Sequence, residues 1–176
     1  PISPGGVVLA SRQAHTFPSE GPESVLDRLA AAIDALASQA TGSLAGVGIG
    51  SPGLVDHTVG VIRNAVNLGW NEVHLVAGVT TRLRHDLPVW VQKDTNASAL
   101  GEFYFGAGLG YLDFVYVSVG SGLGGGIIAN GRLVTGVKGN AAELGHLSLD
   151  PEGRLCACGL RGCAETIVSG PGLVSV

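Results

Sequence analysis

Hydrophobic residues follow a helical spacing in segment 21–40. They recur every three or four positions and form a single apolar stripe of Val25, Leu29, Ile33 and Leu36. This spacing predicts an amphipathic helix with one buried face. The preceding segment, 5–17, alternates apolar and polar residues only weakly, and it predicts edge strands or a hairpin.

Short apolar runs dominate the middle of the chain. The runs LAGVGIGSPG (44–53) and LPVWVQKD (87–94) predict two buried strands. Between them, segment 61–70 indicates irregular structure, and residues 72–85 predict a second helix. Asp-Thr-Asn after the second strand favours a helix N-cap, so Asp94 is expected at a strand-to-helix junction.

Segment 113–134 contains three apolar runs separated by a glycine-rich turn and an Asn-Gly turn. This pattern predicts a local β-meander. Together with the preceding alternation of helices and strands, it indicates an α/β protein. We expect two lobes with a cleft between them, formed by residues 1–104 and 105–176.

The composition excludes several classes of protein. With 45% hydrophobic and 14% charged residues among 176, the chain is typical of a folded globular protein. Its net charge of −4 and scattered Lys and Arg argue against a nucleic-acid-binding surface. No apolar run approaches the roughly 20 residues of a membrane span, so no membrane association is expected. An odd number of clustered cysteines favours a reducing compartment, and hence the cytoplasm.

All three cysteines lie in the run CACGLRGC. Because this loop is rich in glycine, it can turn back so that three thiols point at one centre, and a histidine ten residues earlier could complete a tetrahedral zinc site. The proposed ligands are His146, Cys156, Cys158 and Cys163. The alternative is three small buried side chains without a metal. A site with four protein ligands and no open position would be structural.

Two carboxylates accompany these ligands. Glu143 lies three residues before His146, and Glu165 lies two residues after Cys163. If zinc holds the loop, the two carboxylates and the imidazole would suit sugar hydroxyls as hydrogen-bond partners. For Glu143 taken by itself, a solvent-exposed charge at a helix end is the more common arrangement.

Two further features could contact phosphate or move a proton. Gly120, Ser121 and Gly122 follow a predicted strand and offer backbone amides and a hydroxyl for phosphate oxygens, although a tight hairpin explains them equally well. The chain has no G-K-[ST] sequence, and its G-x-G-x-x-G runs do not lead into helices, so a Walker loop and an NAD site are not expected. Asp94 could act as a general base or simply cap a helix.

In chain order, these segments resemble the repressor/ORF/kinase (ROK) family of sugar kinases and sugar-responsive repressors. The similarity runs through GVGIGSPGLVD, NLGW, KDTNASALGEFYFGAG, VYVSVGSGLGGGIIANGRLVTG and AAELGHLSLDPEGRLCACGLRGCAETIVS. The last segment is the most specific, because it matches the family's combined sugar and zinc signature at Glu143, His146, Cys156, Cys158, Cys163 and Glu165.

The resemblance implies an actin-like ATPase (ribonuclease-H-like) fold and an ATP-dependent hexose kinase similar to glucokinase. Such an enzyme transfers the γ-phosphoryl group of MgATP to a hexose hydroxyl, usually at C6, and glucose is the expected sugar. By resemblance, Asp94 is the catalytic base, the Gly120–Gly122 turn contacts phosphate, and the sugar is bound by Glu143, His146 and Glu165. A homodimer or homotetramer is also implied.

The chain departs from the family pattern in three ways. Lys93 replaces the usual Asn that also contacts the sugar, and its ammonium group beside Asp94 would make that carboxylate a weaker base unless the side chain turns away. Ala142 replaces a usual Gly, which is costly if this backbone needs a positive φ. The family's N-terminal phosphate loop and C-terminal adenosine-contacting segment are not found, so we expect a chain incomplete at both ends.

Two other functions are compatible with these residues. A ROK transcriptional repressor would bind a sugar inducer here and DNA through a helix-turn-helix outside this chain, and Lys93 favours this alternative. A structural fragment would keep the zinc and bind no ligand. The identity of the sugar is left open, because glucose, N-acetylglucosamine and N-acetylmannosamine would all suit the two glutamates and the histidine.

Overall fold

The structure is a computed structural model that describes residues 1–174. Helices are interspersed with runs of strands along the chain, which confirms the predicted α/β class. The chain divides into two compact units, Pro1–Asp94 and a second that begins at Thr95. This division lies ten residues before the boundary expected at 104/105, because the helix that follows Asp94 packs within the second unit.

The first unit contains two helices and five strands. A parallel pair, β1 and β5, is accompanied by an antiparallel sheet in the order β2-β3-β4. The bounds are α1 Pro22–Ala37, β1 Val47–Ser51, β2 Leu54–Asp56, β3 Val61–Ala65, β4 Trp70–Val73, α2 Leu75–Thr80 and β5 Val89–Lys93. Both predicted strands are confirmed as β1 and β5, but neither is fully buried, because Gly48 and Gly50 in β1 and Trp90 in β5 are exposed.

Helix α1 confirms the first predicted helix. Pro22 occupies its first turn, where proline removes no hydrogen bond and its fixed φ suits the helix. Val25 and Leu26 are buried in the core of this unit, and Leu29 and Ile33 pack against the same cluster. The buried face therefore contains Val25, Leu29 and Ile33 of the predicted stripe together with Leu26 and Ala30, whereas Leu36 is only half-buried.

The prediction of irregular structure for segment 61–70 is wrong at its start, because the first five residues form strand β3. Val61 and Ile62 are buried, whereas Arg63 pairs with Asp56 at 2.9 Å and with Glu72 at 2.7 Å on the neighbouring strands. A strand whose polar side chains are matched across the sheet lacks the apolar alternation that predicts strands.

Two other local predictions also fail in part. The helix predicted over 72–85 is shorter, because its first residues belong to β4 and the helix proper is α2. Glu72 has a φ of 52°, a backbone angle that interrupts any helix. Segment 5–17 forms no strand, although Val8 within it makes an isolated antiparallel bridge to Ile2.

The second unit is built on the predicted β-meander, in the order β6-β7-β8. The Asn-Gly turn between β7 and β8 is confirmed, since Asn130 and Gly131 have φ values of 52° and 69°. The bounds are α3 Asp94–Phe105, β6 Phe114–Val119, β7 Leu123–Ala129, β8 Arg132–Leu133, α4 Glu165–Val168 and α5 Gly170–Val174.

The glycines of β7 allow close packing on both faces of the strand. A Cβ atom at Gly126 would lie 2.7 Å from the Cβ of Ala99 on α3, and one at Gly125 would lie 2.5 Å from Leu144. Both distances are too short for real contacts. The glycine-rich run is therefore explained by packing inside this unit.

Among residues 1–174, no helix has the length and apolar character that crossing a bilayer requires.

Candidate functional site

The cysteine loop is folded back on itself by backbone hydrogen bonds. Ala164 N donates to Leu147 O at 2.9 Å, and Leu149 N donates to Gly162 O at 2.8 Å, so the two ends of the loop are held together. Gly162 has a φ of 62°, and a Cβ there would lie 1.6 Å from the carbonyl oxygen of Asp150. Only glycine fits this position, which brings the last cysteine close to the start of the loop.

The loop brings the four predicted zinc ligands to one point. The ligand atoms of His146, Cys156, Cys158 and Cys163 all lie within 4.8 Å of one another. The sulfurs of Cys158 and Cys163 are 3.6 Å apart, and Cys156 Sγ is 3.7 Å from His146 Nδ1. Zinc–sulfur bonds of about 2.3 Å in a tetrahedron require edges of roughly 3.8 Å, so this donor set fits zinc.

The thiols experience different environments. Burial raises the pKa of Cys156 to about 12, and the neighbouring Glu165 carboxylate adds to this effect. Burial also raises the pKa of Cys163. A backbone hydrogen bond from Leu160 lowers the pKa of Cys158. Two thiolates at the buried positions need a cation as counter-charge, which a divalent metal would supply.

Glu165 lies against the ligand cluster. Its Oε1 is 3.0 Å from Cys156 Sγ and 3.5 Å from His146 Nδ1. The side chains of His146 and Glu165 are 37% and 22% exposed, so this edge of the cluster is open to small molecules. The structure thus brings Glu165 and His146 together, beside the cysteines.

Sequence reasoning missed the hydrogen bond that orients the start of α4. The hydroxyl of Thr166 donates to the carbonyl oxygen of Cys163 at 2.7 Å, which ties the first turn of α4 to the last cysteine. The signal was available, because a threonine three residues after a loop residue can bond back to its carbonyl group.

Glu143 leads into a short 3-10 helix, Leu144–His146, and its carbonyl oxygen accepts a hydrogen bond from His146 N at 3.1 Å. This hydrogen bond joins the backbones of Glu143 and His146, so the two residues lie at opposite ends of one tight turn. Ala142, immediately before it, has a φ of 60°. The backbone therefore needs the positive φ for which glycine is better suited.

Asp94 is exposed and is the first residue of α3, at the predicted strand-to-helix junction. Lys93 ends β5 and is only 6% exposed. It is paired in register with Ser51 of β1, which is also buried. Since side chains alternate along a strand, Lys93 lies on the same face of β5 as the core residue Val91.

The turn Gly120–Gly122 connects β6 to β7. Gly120 N donates to Gly122 O at 2.9 Å, and Gly170 N donates to Gly120 O at 2.8 Å, so the first residue of α5 supports the turn. A Cβ added at Gly122 would lie 3.2 Å from Glu165 Oε2. The structure therefore brings this turn to Glu165, and Gly120 and Ser121 are exposed.

The known proteins that are similar to this chain include glucokinases and xylose repressors. The chain is 35% identical to a glucokinase of Halalkalibacterium halodurans, over 99% of this chain and 54% of that protein. It is 39% identical to a xylose repressor of Caldicellulosiruptor bescii, over 80% of this chain and 35% of the repressor. The chain spans about half the length of the glucokinase it matches.

A solved structure of a ROK family glucokinase from Streptomyces griseus, in complex with glucose and AMPPNP, superimposes with a TM-score of 0.85 at 40% identity. The match covers 99% of this chain and 54% of that protein. This similarity confirms the expected actin-like ATPase fold. The model of the ROK family matches residues 4–176, and the chain belongs to the ROK family.

Proposed function

We propose that the complete protein is a ROK-type sugar kinase that transfers the γ-phosphoryl group of ATP to a hexose, with glucose as the substrate and C6 as the acceptor position. The observation that carries this proposal is the contact of Glu165 with the His146 and cysteine cluster, at 3.5 Å and 3.0 Å. The similarity to a glucokinase solved with glucose and AMPPNP supports it.

In this proposal, Asp94 is the general base that takes the proton of the attacking hydroxyl. Its exposed position at the start of α3 leaves the carboxylate accessible to a substrate. Glu143, His146 and Glu165 bind the sugar hydroxyls, because carboxylates accept and a neutral imidazole can donate or accept. Lys93 replaces a sugar-contacting residue of the family, and we assign it to the substrate site.

Phosphate would be bound at the turn formed by Gly120, Ser121 and Gly122. Its exposed backbone and hydroxyl are supported from behind by Gly170. Mg²⁺ would accompany ATP as in other phosphoryl transfers, where catalysis consists mainly of positioning and charge stabilisation.

The metal in the proposal is a structural zinc held by His146, Cys156, Cys158 and Cys163. Zinc would fix the loop and orient the imidazole of His146, whose Nδ1 faces the sulfurs. The second ring nitrogen would remain for a sugar hydroxyl. We further assign the enzyme to the cytoplasm, where ATP and reduced thiols coexist, and to a homodimer or homotetramer.

The kinase proposal is tested by measuring ADP release by the full-length protein with a panel of hexoses. Asp94→Asn should lower kcat by about 10²–10⁴-fold with little change in KM, because a general base contributes to the chemical step. Asp27→Asn is the matched control, since Asp27 pairs with Arg82 on the surface of the first unit. Phosphorylation that survives Asp94→Asn unchanged would exclude this base.

A second candidate is a ROK transcriptional repressor with a sugar inducer. The similarity to a xylose repressor and the buried Lys93 beside Asp94 favour it. The sequence upstream of Pro1 discriminates the two, because a helix-turn-helix would support the repressor and a phosphate loop would support the kinase. Calorimetric sugar binding without ATP turnover, together with sugar-sensitive DNA binding, is the result expected of the repressor.

A further inference from the structure

Two of the clustered thiols form a pair that is open at one end. The sulfurs of Cys158 and Cys163 are 3.6 Å apart, Cys158 is exposed, and Cys163 is completely buried. We propose that a hydroperoxide oxidises this pair to a disulfide, that zinc leaves the loop as a result, and that sugar binding is lost. The effect on sugar rests on the proposed function, whereas the oxidation and the metal release do not.

The surroundings of Cys158 permit the movement that disulfide formation needs. The two sulfurs must approach from 3.6 Å to about 2.05 Å. Gly159, next in the chain, has a φ of 91° and no atom within 4 Å of a Cβ placed on it. No packing around Gly159 holds the backbone beside the exposed Cys158, so Cys158 can move toward Cys163 while the buried partner stays in place.

The remaining cysteine is a poorer candidate for attack. Cys156 is 4% exposed, and its sulfur faces Glu165 Oε1 at 3.0 Å and His146 Nδ1 at 3.7 Å. A carboxylate in this position repels both a thiolate and the hydroxide that leaves a peroxide. Exposure and an adjacent second cysteine, the features of oxidant-sensitive thiols, therefore coincide at Cys158.

The reaction balances with hydrogen peroxide as the oxidant. The Cys158 thiolate attacks one peroxide oxygen, the O–O bond breaks, and Cys158 sulfenic acid and hydroxide form. The Cys163 thiolate then attacks the sulfur of the sulfenic acid, forming the S–S bond and releasing a second hydroxide. Both cysteines lose one electron each and the peroxide gains two. Zinc is left with His146 and Cys156 as protein ligands, too few for a structural site.

The loss of zinc would reach the proposed sugar site directly. Glu165 follows Cys163 by two residues, and the Thr166 hydroxyl bonds to the carbonyl oxygen of Cys163 at 2.7 Å. His146 belongs to both the zinc ligands and the proposed sugar-binding residues. Losing zinc from His146, and from Cys163 to which the start of α4 is tied, would therefore disturb two of the groups proposed to contact the sugar.

The test uses the zinc-loaded full-length protein, titrated with hydrogen peroxide. Zinc is followed with a colorimetric chelator, the mass of the intact protein is measured, and the disulfide is located by peptide mapping. We expect one zinc released per chain, a mass decrease of about 2 Da for two lost hydrogens, and a Cys158–Cys163 peptide. Dithiothreitol with added zinc should restore the starting state. Release without this disulfide, or no release, would overturn the inference.

Two matched variants retain four potential zinc ligands. Cys158→His removes one member of the pair, and Cys156→His keeps the pair intact, while histidine can bind zinc in either case. Zinc release by peroxide should be at least about tenfold slower in Cys158→His than in Cys156→His. Equal release rates in the two variants would contradict the assignment of the pair.

Glucose binding by calorimetry, before and after oxidation, separates the inference from the proposed function. Binding that weakens at least about tenfold on oxidation and recovers on reduction supports both. A protein that never binds glucose but shows the disulfide and the zinc release disproves glucose as the ligand and retains the redox step. Glucose binding that is equal in the oxidised, zinc-free protein overturns the consequence proposed for the site.

Discussion

Ala142 is a residue whose backbone conformation costs energy. Its φ of 60° lies in the left-handed region, which costs an L residue roughly 1–2 kcal/mol. In Ala142→Gly, relief of this strain should offset the added unfolded-state entropy of glycine, about 0.4–1 kcal/mol, and the loss of a buried methyl, about 0.8 kcal/mol. We therefore expect the free energy of unfolding in urea to change by less than about 0.5 kcal/mol.

Ala99 provides the control for this prediction. It is fully buried in the middle of α3, where the backbone is helical. Ala99→Gly should destabilise by about 1–2 kcal/mol, because it loses both helix propensity and a buried methyl with no strain to relieve. Equal losses in the two variants would show that Ala142 carries no strain.

Asp56 determines part of the acid sensitivity of the first unit. The Thr58 hydroxyl and then Arg63 hydrogen-bond its carboxylate and lower its pKa from 3.8 to about 2. Since the folded-state pKa is the lower one, this group contributes stability above pH 4 that is lost as the pH falls toward 2. In Asp56→Asn, the melting temperature should fall less steeply between pH 4 and pH 2. In Thr58→Ala, the fall should be reduced by a smaller amount. An unchanged slope in both variants would contradict this role.

At the residue scale, the sequence predicts which residues form the cluster of proposed zinc ligands, but it does not predict how Glu165 is positioned beside that cluster. His146 and the three cysteines could be grouped because zinc restricts the ligand types and because glycines permit the loop to turn back. The proximity of Glu165 to Cys156 depends on how α4 begins after the loop. That geometry results from hydrogen bonds that no residue pattern reveals, except in part through Thr166.

Strand β7 and helix α3 approach each other through glycine. Gly126→Ala would place a Cβ 2.7 Å from Ala99 and 2.8 Å from the carbonyl oxygen of Thr95, and neither can move away cheaply. We expect destabilisation of about 1–3 kcal/mol by urea denaturation. Gly101, in the same helix, has no atom within 4 Å of an added Cβ. Gly101→Ala should stabilise by about 1 kcal/mol, and a loss there would contradict the packing argument.

Element prediction succeeded where burial and turn chemistry agreed. The β-meander follows from apolar runs bounded by glycine or an Asn-Gly turn, β5 from a compact apolar run between Pro88 and Asp94, and α1 from its apolar stripe. Strand β3 was missed because its outward residue Arg63 is polar and is matched by Asp56 and Glu72 on other strands. A cross-strand partner is a tertiary fact, so a short sequence window contains no sign of it.

At the scale of the whole molecule, the two compact units should respond differently to removal of the proposed zinc. The first has a core of its own, built around Ile62, Val55 and Val79, whereas the proposed zinc ligands lie in the second, three of them in loop 147–164. Hydrogen exchange of the full-length protein should show protection in that loop falling at least about tenfold with a chelator, while Val61–Ala65 is unchanged. Restored zinc is the control, because it should return the loop to its original protection. Equal loss of protection in both units would mean that the metal stabilises the whole chain. No loss in either unit would contradict a structural role for zinc.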